Sequence, residues 1–236
     1  MEKRNKGLVL SGGGSRGAWQ AGVWKALSET SLKEELRVIT GTSIGALNAA
    51  VFIQETAPEI EQVWYSLDYS RIFDEEVSRR MRKWYNPKQF YHLAKAWINQ
   101  GGLPVNPMKE FINGYVRESG IRDSPIDLGL TFYNWSKKKG GSLFLEDIPE
   151  GALADYLIAS ASFPAFQSHQ IKGDQYLDGG LYDNIPVKMC VNKYPELEQV
   201  LILNVSAIPY RIPWLRGWKS GPELIEIRPS GFIPLP

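Results

Sequence analysis

A single cysteine, Cys190, stands in the 236 residues, which excludes an internal disulfide and leaves no thiol cluster for zinc. Histidine is nearly as scarce: there are two, His92 and His169, so chemistry built on a histidine base has few candidates. Charge of one sign is not in excess. The net charge is +1, and nothing global points to a nucleic-acid partner or an acidic polymer. Long apolar runs are missing as well. No window approaches the ~20 residues of a transmembrane helix. The N-terminus MEKRNKGLVLSGGG begins basic and then turns apolar, as a signal peptide does, but its apolar run breaks at glycine far too early. An intracellular, cytoplasmic protein is the expectation, with any protein partner unspecified. With 43 % hydrophobic and 22 % charged residues, the chain has the composition of an ordinary globular domain, and its length allows a large core.

What is present is a pattern of strand, glycine turn and helix, twice in succession. Residues 7–10 form a short apolar run before Gly12-Gly13-Gly14, and residues 15–27 become helical, with Ala18, Ala21 and Gly22 on one face. Residues 37–40 read as a second strand and 43–54 as a second helix. This order predicts a parallel α/β sheet. Residues 58–115 are helical in pattern, rich in Trp, Tyr, Phe and Arg, and broken near Asn86-Pro87 and over 101–107. They read either as a cap inserted over the functional edge or as a helical layer of the core. Residues 128–135 and 142–145 read as strands. The Lys137-Lys138-Lys139-Gly140-Gly141 run between them reads first as a solvated hairpin turn, and second as a contact for lipid phosphate. A helix over 151–160, a strand pair over 167–177 and a strong strand over 199–205 follow. After Ser206 the chain is rich in Pro and Trp without a clear period.

The chemistry concentrates in the glycine turns. Gly41-Thr42-Ser43-Ile44-Gly45 fits the nucleophile-elbow pattern, in which a serine sits on a tight strand-to-helix turn and flanking glycines remove side-chain clashes. The helix after it aims its N-terminal dipole at developing negative charge. The alternative is a plain N-cap serine. Gly12-Gly13-Gly14-Ser15-Arg16-Gly17 satisfies the dinucleotide fingerprint. That reading expects an acid at the end of the next strand, where Thr40-Gly41-Thr42-Ser43 stands instead. The other reading is an oxyanion hole, with the N–H groups of Gly13 and Gly14 converging on one point. A serine nucleophile needs a base. His92 and His169 both read better as packing or surface residues, which leaves Asp178 in Asp178-Gly179-Gly180. It forms a dyad with Ser43 if burial raises its pKa, and an ordinary Asp-Gly turn if not.

Together these residues resemble the patatin-like phospholipase family. GGGSRG at 12–17, GTSIG at 41–45 and DGG at 178–180 stand in the family's order, and ASASFPAF at 159–166 and DNIPV at 183–187 are also family-like. The resemblance covers about the first 205 residues. It implies a three-layer α/β/α sandwich with a mostly parallel central sheet and a helical cap, hydrolysing lipid acyl esters through an acyl-enzyme. On this sequence it implies Ser43 as nucleophile and Asp178 as general base. The backbone of Gly12, Gly13 and Gly14, supported by Arg16 and joined by the N–H of Ile44, is then the oxyanion hole. Gly17, Gly41, Gly45, Gly179 and Gly180 complete the motifs. No metal or organic cofactor is implied. A lipid or other acyl ester is the expected substrate. A small-ester esterase or thioesterase with the same dyad, and a catalytically idle lipid-binding module, remain as alternatives. The expected organisation is a catalytic domain over 1–206, with the cap at 58–115 inside it, and a Pro/Trp-rich segment over 207–236. Family members usually continue with further helix and strand there, so this end is either compact or lacks some natural sequence. Peripheral membrane contact has its candidates in Trp84, Tyr85, Phe90, Tyr91 and Trp97 beside Arg79, Arg80, Arg82, Lys83, Lys88 and Lys95. The same residues also suit an apolar pocket lining under a solvated cationic face.

Overall fold

The structure is a computed structural model and describes residues 4–54, 60, 62, 64, 106–163, 169–209 and 221–233. Among the described residues eight strands form one sheet: β1 (Lys6–Leu10), β2 (Leu36–Gly41), β3 (Asp127–Asn134), β4 (Lys139–Phe144), β5 (His169–Ile171), β6 (Asp174–Asp178), β7 (Gln199–Leu203) and β8 (Glu223–Ile227). The helices described are α1 (Gly17–Ser28), α2 (Leu32–Glu35), α3 (Ile44–Ile53), α4 (Asn106–Tyr115), α5 (Glu118–Arg122), α6 (Leu153–Ala161) and α7 (Val187–Lys193). The strand order is β5-β6-β3-β2-β1-β7-β8, with β4 paired to β3. From β3 through β2, β1 and β7 to β8 every pairing is parallel, while β4, β5 and β6 attach antiparallel.

The layers follow from side-chain alternation, since successive strand residues face opposite sides. In β1, Leu8 and Leu10 join the larger apolar cluster, packed with α1, α3 and α6, whereas Val9 joins a second cluster with Val187, Cys190 and Val191 of α7. β7 repeats the pattern, with Leu201 and Leu203 on one side and Val200 and Ile202 on the other. Central strands buried on both faces read as the continuous apolar runs seen in the sequence. The three-layer α/β/α sandwich and its mostly parallel sheet are therefore as expected.

Register places the site. β2 pairs with β3 only as far as Gly41 opposite Leu130. β4 lies along the other edge of β3, from Gly129 to Asn134. Past Leu130 the edge vacated by β2 is taken by β6, with Asp178 opposite Phe132. Because β6 runs antiparallel, its C-terminal end meets the C-terminal end of β2 along one strand. The residues that leave these two ends are Ser43 and Asp178.

Three details differ from the sequence reading. Ala18 and Gly22 of α1 are exposed, and the buried line is Gly17, Gln20, Ala21 and Trp24. The anchor is Trp24, stacked on Phe52 of α3 at 4.5 Å between ring centroids; a large aromatic decides the buried face over small residues. The lysine turn is also tighter than expected, because Lys139 already pairs with Asn134 in β4. Finally, residues 223–227 form the parallel edge strand β8 inside the segment that showed no period. Of the expected cap, residues 60, 62 and 64 and the stretch from 106 are described; the rest of it lies outside the described residues, including His92 and the aromatic and cationic residues of 79–97.

Candidate active site

The strand β2 ends at Gly41, α3 begins at Ile44, and Ser43 is the residue between with φ 55 and ψ −126. A serine held in this region stores about 1–3 kcal/mol of backbone strain. The flanking glycines make the turn physically possible. A Cβ on Gly41 would strike the backbone of Gly45 and Ala46, and one on Gly45 would strike the carbonyls of Leu10 and Ser11. The turn therefore packs backbone on backbone, which only glycine allows. Thr42 pins its other side, donating from Oγ1 to the Asp183 carbonyl at 2.8 Å and lying 2.7 Å from Thr131 Oγ1.

The Ser43 hydroxyl donates to Asp178 Oδ2 at 2.6 Å. The other carboxylate oxygen, Oδ1, accepts the Gly180 N–H at 2.7 Å. Asp178 is only 7 % exposed, and Ser43 is half-buried, so the acid is the drier member of the pair. Burial pushes the Asp178 carboxyl up from 3.8 to about 6, against the opposing pull of its bonds from Ser43 and Gly180. An aspartate tuned this way is a stronger base than a solvated one and is still ionised at neutral pH. The glycines after it are again steric. A Cβ on Gly179 would meet the Thr131 side chain and backbone, and one on Gly180 would lie 3.0 Å from Asp178 Oδ1.

The first glycine turn abuts the elbow. A Cβ on Gly12 would strike Asn184 Oδ1 and sit 3.3 Å from the Ser43 Cβ. Gly12 does not offer its N–H to a ligand, contrary to the sequence expectation: it donates to the Asn184 carbonyl at 3.1 Å. Among the described residues the N–H groups of Gly13, Gly14 and Ile44 carry no hydrogen bond. Arg16 acts through the backbone, its Nε donating to the Gly13 carbonyl at 3.3 Å. The C=O and N–H of one trans peptide point opposite ways, so this bond also fixes the direction of the Gly14 N–H. A buried polar chain holds the turn from below. Gln20 Nε2 donates to the Ser11 and Leu203 carbonyls, Asn48 Nδ2 to the Gly17 carbonyl and Gln20 Oε1, and Trp64 Nε1 to Asn48 Oδ1.

Two contributions escape the sequence reading. Ser160 of α6 is fully buried and its Oγ accepts the Ser43 N–H at 3.0 Å. Ser162, just past α6, accepts the Asp178 N–H on its carbonyl at 2.7 Å. Both lie in the ASASF stretch, whose small polar residues at a helix end are the one signal the sequence carries. His169 stays apart, buried with Nε2 2.9 Å from Asp155 Oδ1, and burial holds its imidazole below the ordinary value. Among the described residues no group of three His, Cys, Asp or Glu side chains could hold a metal ion, and no helix is long and apolar enough to cross a membrane.

Comparison with known proteins gives a consistent result. A family model described as patatin-like phospholipase matches residues 8–191. The chain is 48 % identical over 187 residues to patatin-like phospholipase domain-containing protein 7 of Rattus norvegicus, covering 76 % of this chain and 12 % of that one. It is 26 % identical over 216 residues to lysophospholipase NTE1 of Kluyveromyces lactis, covering 89 % of this chain and 13 % of that one. The chain thus spans only about an eighth of these relatives. Among solved structures, VipD of Legionella pneumophila matches with a TM-score of 0.56 at 18 % identity, covering 88 % of this chain and 51 % of that one, which is a likeness of fold.

Proposed function

The chain belongs to the patatin-like phospholipase family, and on that premise we propose that it hydrolyses carboxylic esters of phospholipids through a Ser43–Asp178 dyad. The observation that carries this reading is the 2.6 Å bond from the hydroxyl of a strained elbow serine to a buried carboxylate. The lysophospholipase names of several relatives favour single-chain phospholipids as the substrate class.

Asp178 Oδ2 takes the Ser43 proton as Oγ attacks the ester carbonyl carbon. Negative charge passes to the carbonyl oxygen, which the N–H groups of Gly13, Gly14 and Ile44 receive at the N-terminus of α3. The bond to the alkoxy oxygen breaks, and the proton on Asp178 goes to the leaving alcohol. The acyl group is then esterified to Ser43. A water gives its proton to Asp178 and attacks the acyl carbon, and Ser43 leaves with that proton as the fatty acid departs. Gly12 serves by shape, letting the turn lie against Ser43 without a side chain between.

The test is covalent labelling with a fluorophosphonate, together with fatty-acid release from lysophosphatidylcholine. Wild type labels and turns over. Ser43→Ala does neither, and Asp178→Asn labels far more slowly. Labelling or turnover retained in Ser43→Ala sinks the dyad. Turnover of small soluble esters or thioesters with none of lipid moves the function to an esterase or thioesterase with the same machinery. An unlabelled, inactive wild type that binds lipid leaves an idle lipid-binding module.

A further inference from the structure

Six large apolar side chains are conspicuously exposed among the described residues, and three of them, Trp135 at 52 %, Leu181 at 52 % and Tyr182 at 54 %, stand on one rim. The rim is built by register. β3 leaves β2 at Leu130 and continues through residues 131–134, paired with β4 and β6. At ~3.3 Å per residue this carries the β3–β4 hairpin roughly 13 Å past the end of β2, on the sheet edge from which the Ser43 elbow rises. Tyr182 binds the hairpin to the loop after Asp178: the place of a side chain on Gly140 is filled by the Tyr182 ring. Gly140 pairs with Tyr133, and Trp135 lies over Tyr133 at 6.5 Å between centroids. Hairpin tip and loop are therefore one surface.

The charge of that surface is one-sided. Lys137 is paired with Asp174 at 2.6 Å. Lys138 and Lys139 are exposed and meet no acid among the described residues, and Lys138 closes the turn 135–138 with φ 51, its N–H donating to the Trp135 carbonyl at 3.2 Å. An exposed tryptophan and tyrosine beside unpaired lysines on a projecting tip match the two layers of a bilayer surface, apolar–polar boundary and anionic phosphate. The core of a protein–protein interface is depleted of charge, whereas here the lysines stand beside the exposed aromatics.

We propose that the β3–β4 hairpin tip and the 181–182 loop form a docking surface for anionic phospholipid bilayers. It sets the carboxyl edge of the sheet, with Ser43 and Asp178, toward the membrane. The purpose of the docking rests on the lipid-ester reading above, but the binding itself does not. The test is cosedimentation of the whole chain with sucrose-loaded vesicles of phosphatidylcholine, with and without phosphatidylserine. Wild type is compared with Trp135→Ser/Lys138→Gln/Lys139→Gln, and turnover of water-soluble p-nitrophenyl butyrate reports on the dyad separately. With each lysine worth about fivefold near an anionic surface, the triple variant binds phosphatidylserine vesicles at least about tenfold more weakly, with unchanged turnover of the soluble ester and an unchanged melting temperature. Equal binding by the triple variant, or a wild type that ignores phosphatidylserine, overturns the surface and leaves the rim to a protein partner. Lost binding in the variant with no ester hydrolysed by either protein keeps the surface and overturns the esterase.

Discussion

Replacing Asp178 by Asn separates catalysis from stability, because burial raises the carboxyl from 3.8 to about 6. The folded protein therefore holds this proton more tightly than the unfolded chain does. Its stabilising effect is complete below pH 3.8 and is lost as the pH rises through about 6. Above that, the buried charge costs about 3 kcal/mol, at ~1.4 kcal/mol for each tenfold in proton affinity. Asparagine has the same shape and no charge. Its Oδ1 can accept the Gly180 N–H, and its Nδ2 can donate to Ser43 Oγ, so both contacts of the carboxylate keep a counterpart. Urea unfolding at pH 8 is expected to find Asp178→Asn more stable by about 3 kcal/mol, and at pH 5 by about half of that. In a chain of this size the pH 8 difference is about 6–12 °C in Tm. Ester turnover falls by about 10²–10⁴ in the same protein, since an amide takes no proton. An Asn variant no more stable than wild type at pH 8, or a gain that does not shrink as the pH falls, refutes the reasoning that Asp178 is a buried, destabilised charge.

Other consequences follow from the same contacts. The wild-type pH profile of kcat/KM has an acid limb set by Asp178, so the value at pH 5 is about tenfold below that at pH 7; a flat profile between these points excludes this base. Ser160→Ala removes the acceptor of the Ser43 N–H, and stopped-flow labelling by fluorophosphonate slows about tenfold with the KM for soluble esters unchanged. Gly45→Ala forces a Cβ into the Leu10 and Ser11 carbonyls and lowers stability by about 3 kcal/mol, read by urea unfolding. Gly22→Ala, in α1 with open space around it, raises stability by about 0.5–1 kcal/mol in the same assay.

Periodicity and glycine spacing made the first two strand-turn-helix units legible, because a buried parallel strand and a tight turn each restrict composition locally. Sequence pattern could not rank Trp24 above Ala18 and Gly22 on α1, since the buried face was chosen by a partner, Phe52, on another helix. Nor could it find β8, whose ELIEI pattern becomes a strand only by pairing in register with β7. The candidate site divides in the same way. That Ser43 sits on an elbow between glycines is local, dictated by backbone that must pass backbone at Gly41 and Gly45. That its hydroxyl meets a carboxylate 135 residues away is decided by tertiary structure, because β6 takes the edge of β3 that β2 gives up at Gly41. Tertiary structure also assigns the Gly12 N–H to Asn184, brings Ser160 under the elbow and dries Asp178. Each of these is a property of neighbours distant in sequence, and desolvation in particular belongs to no residue until the chain has closed around it.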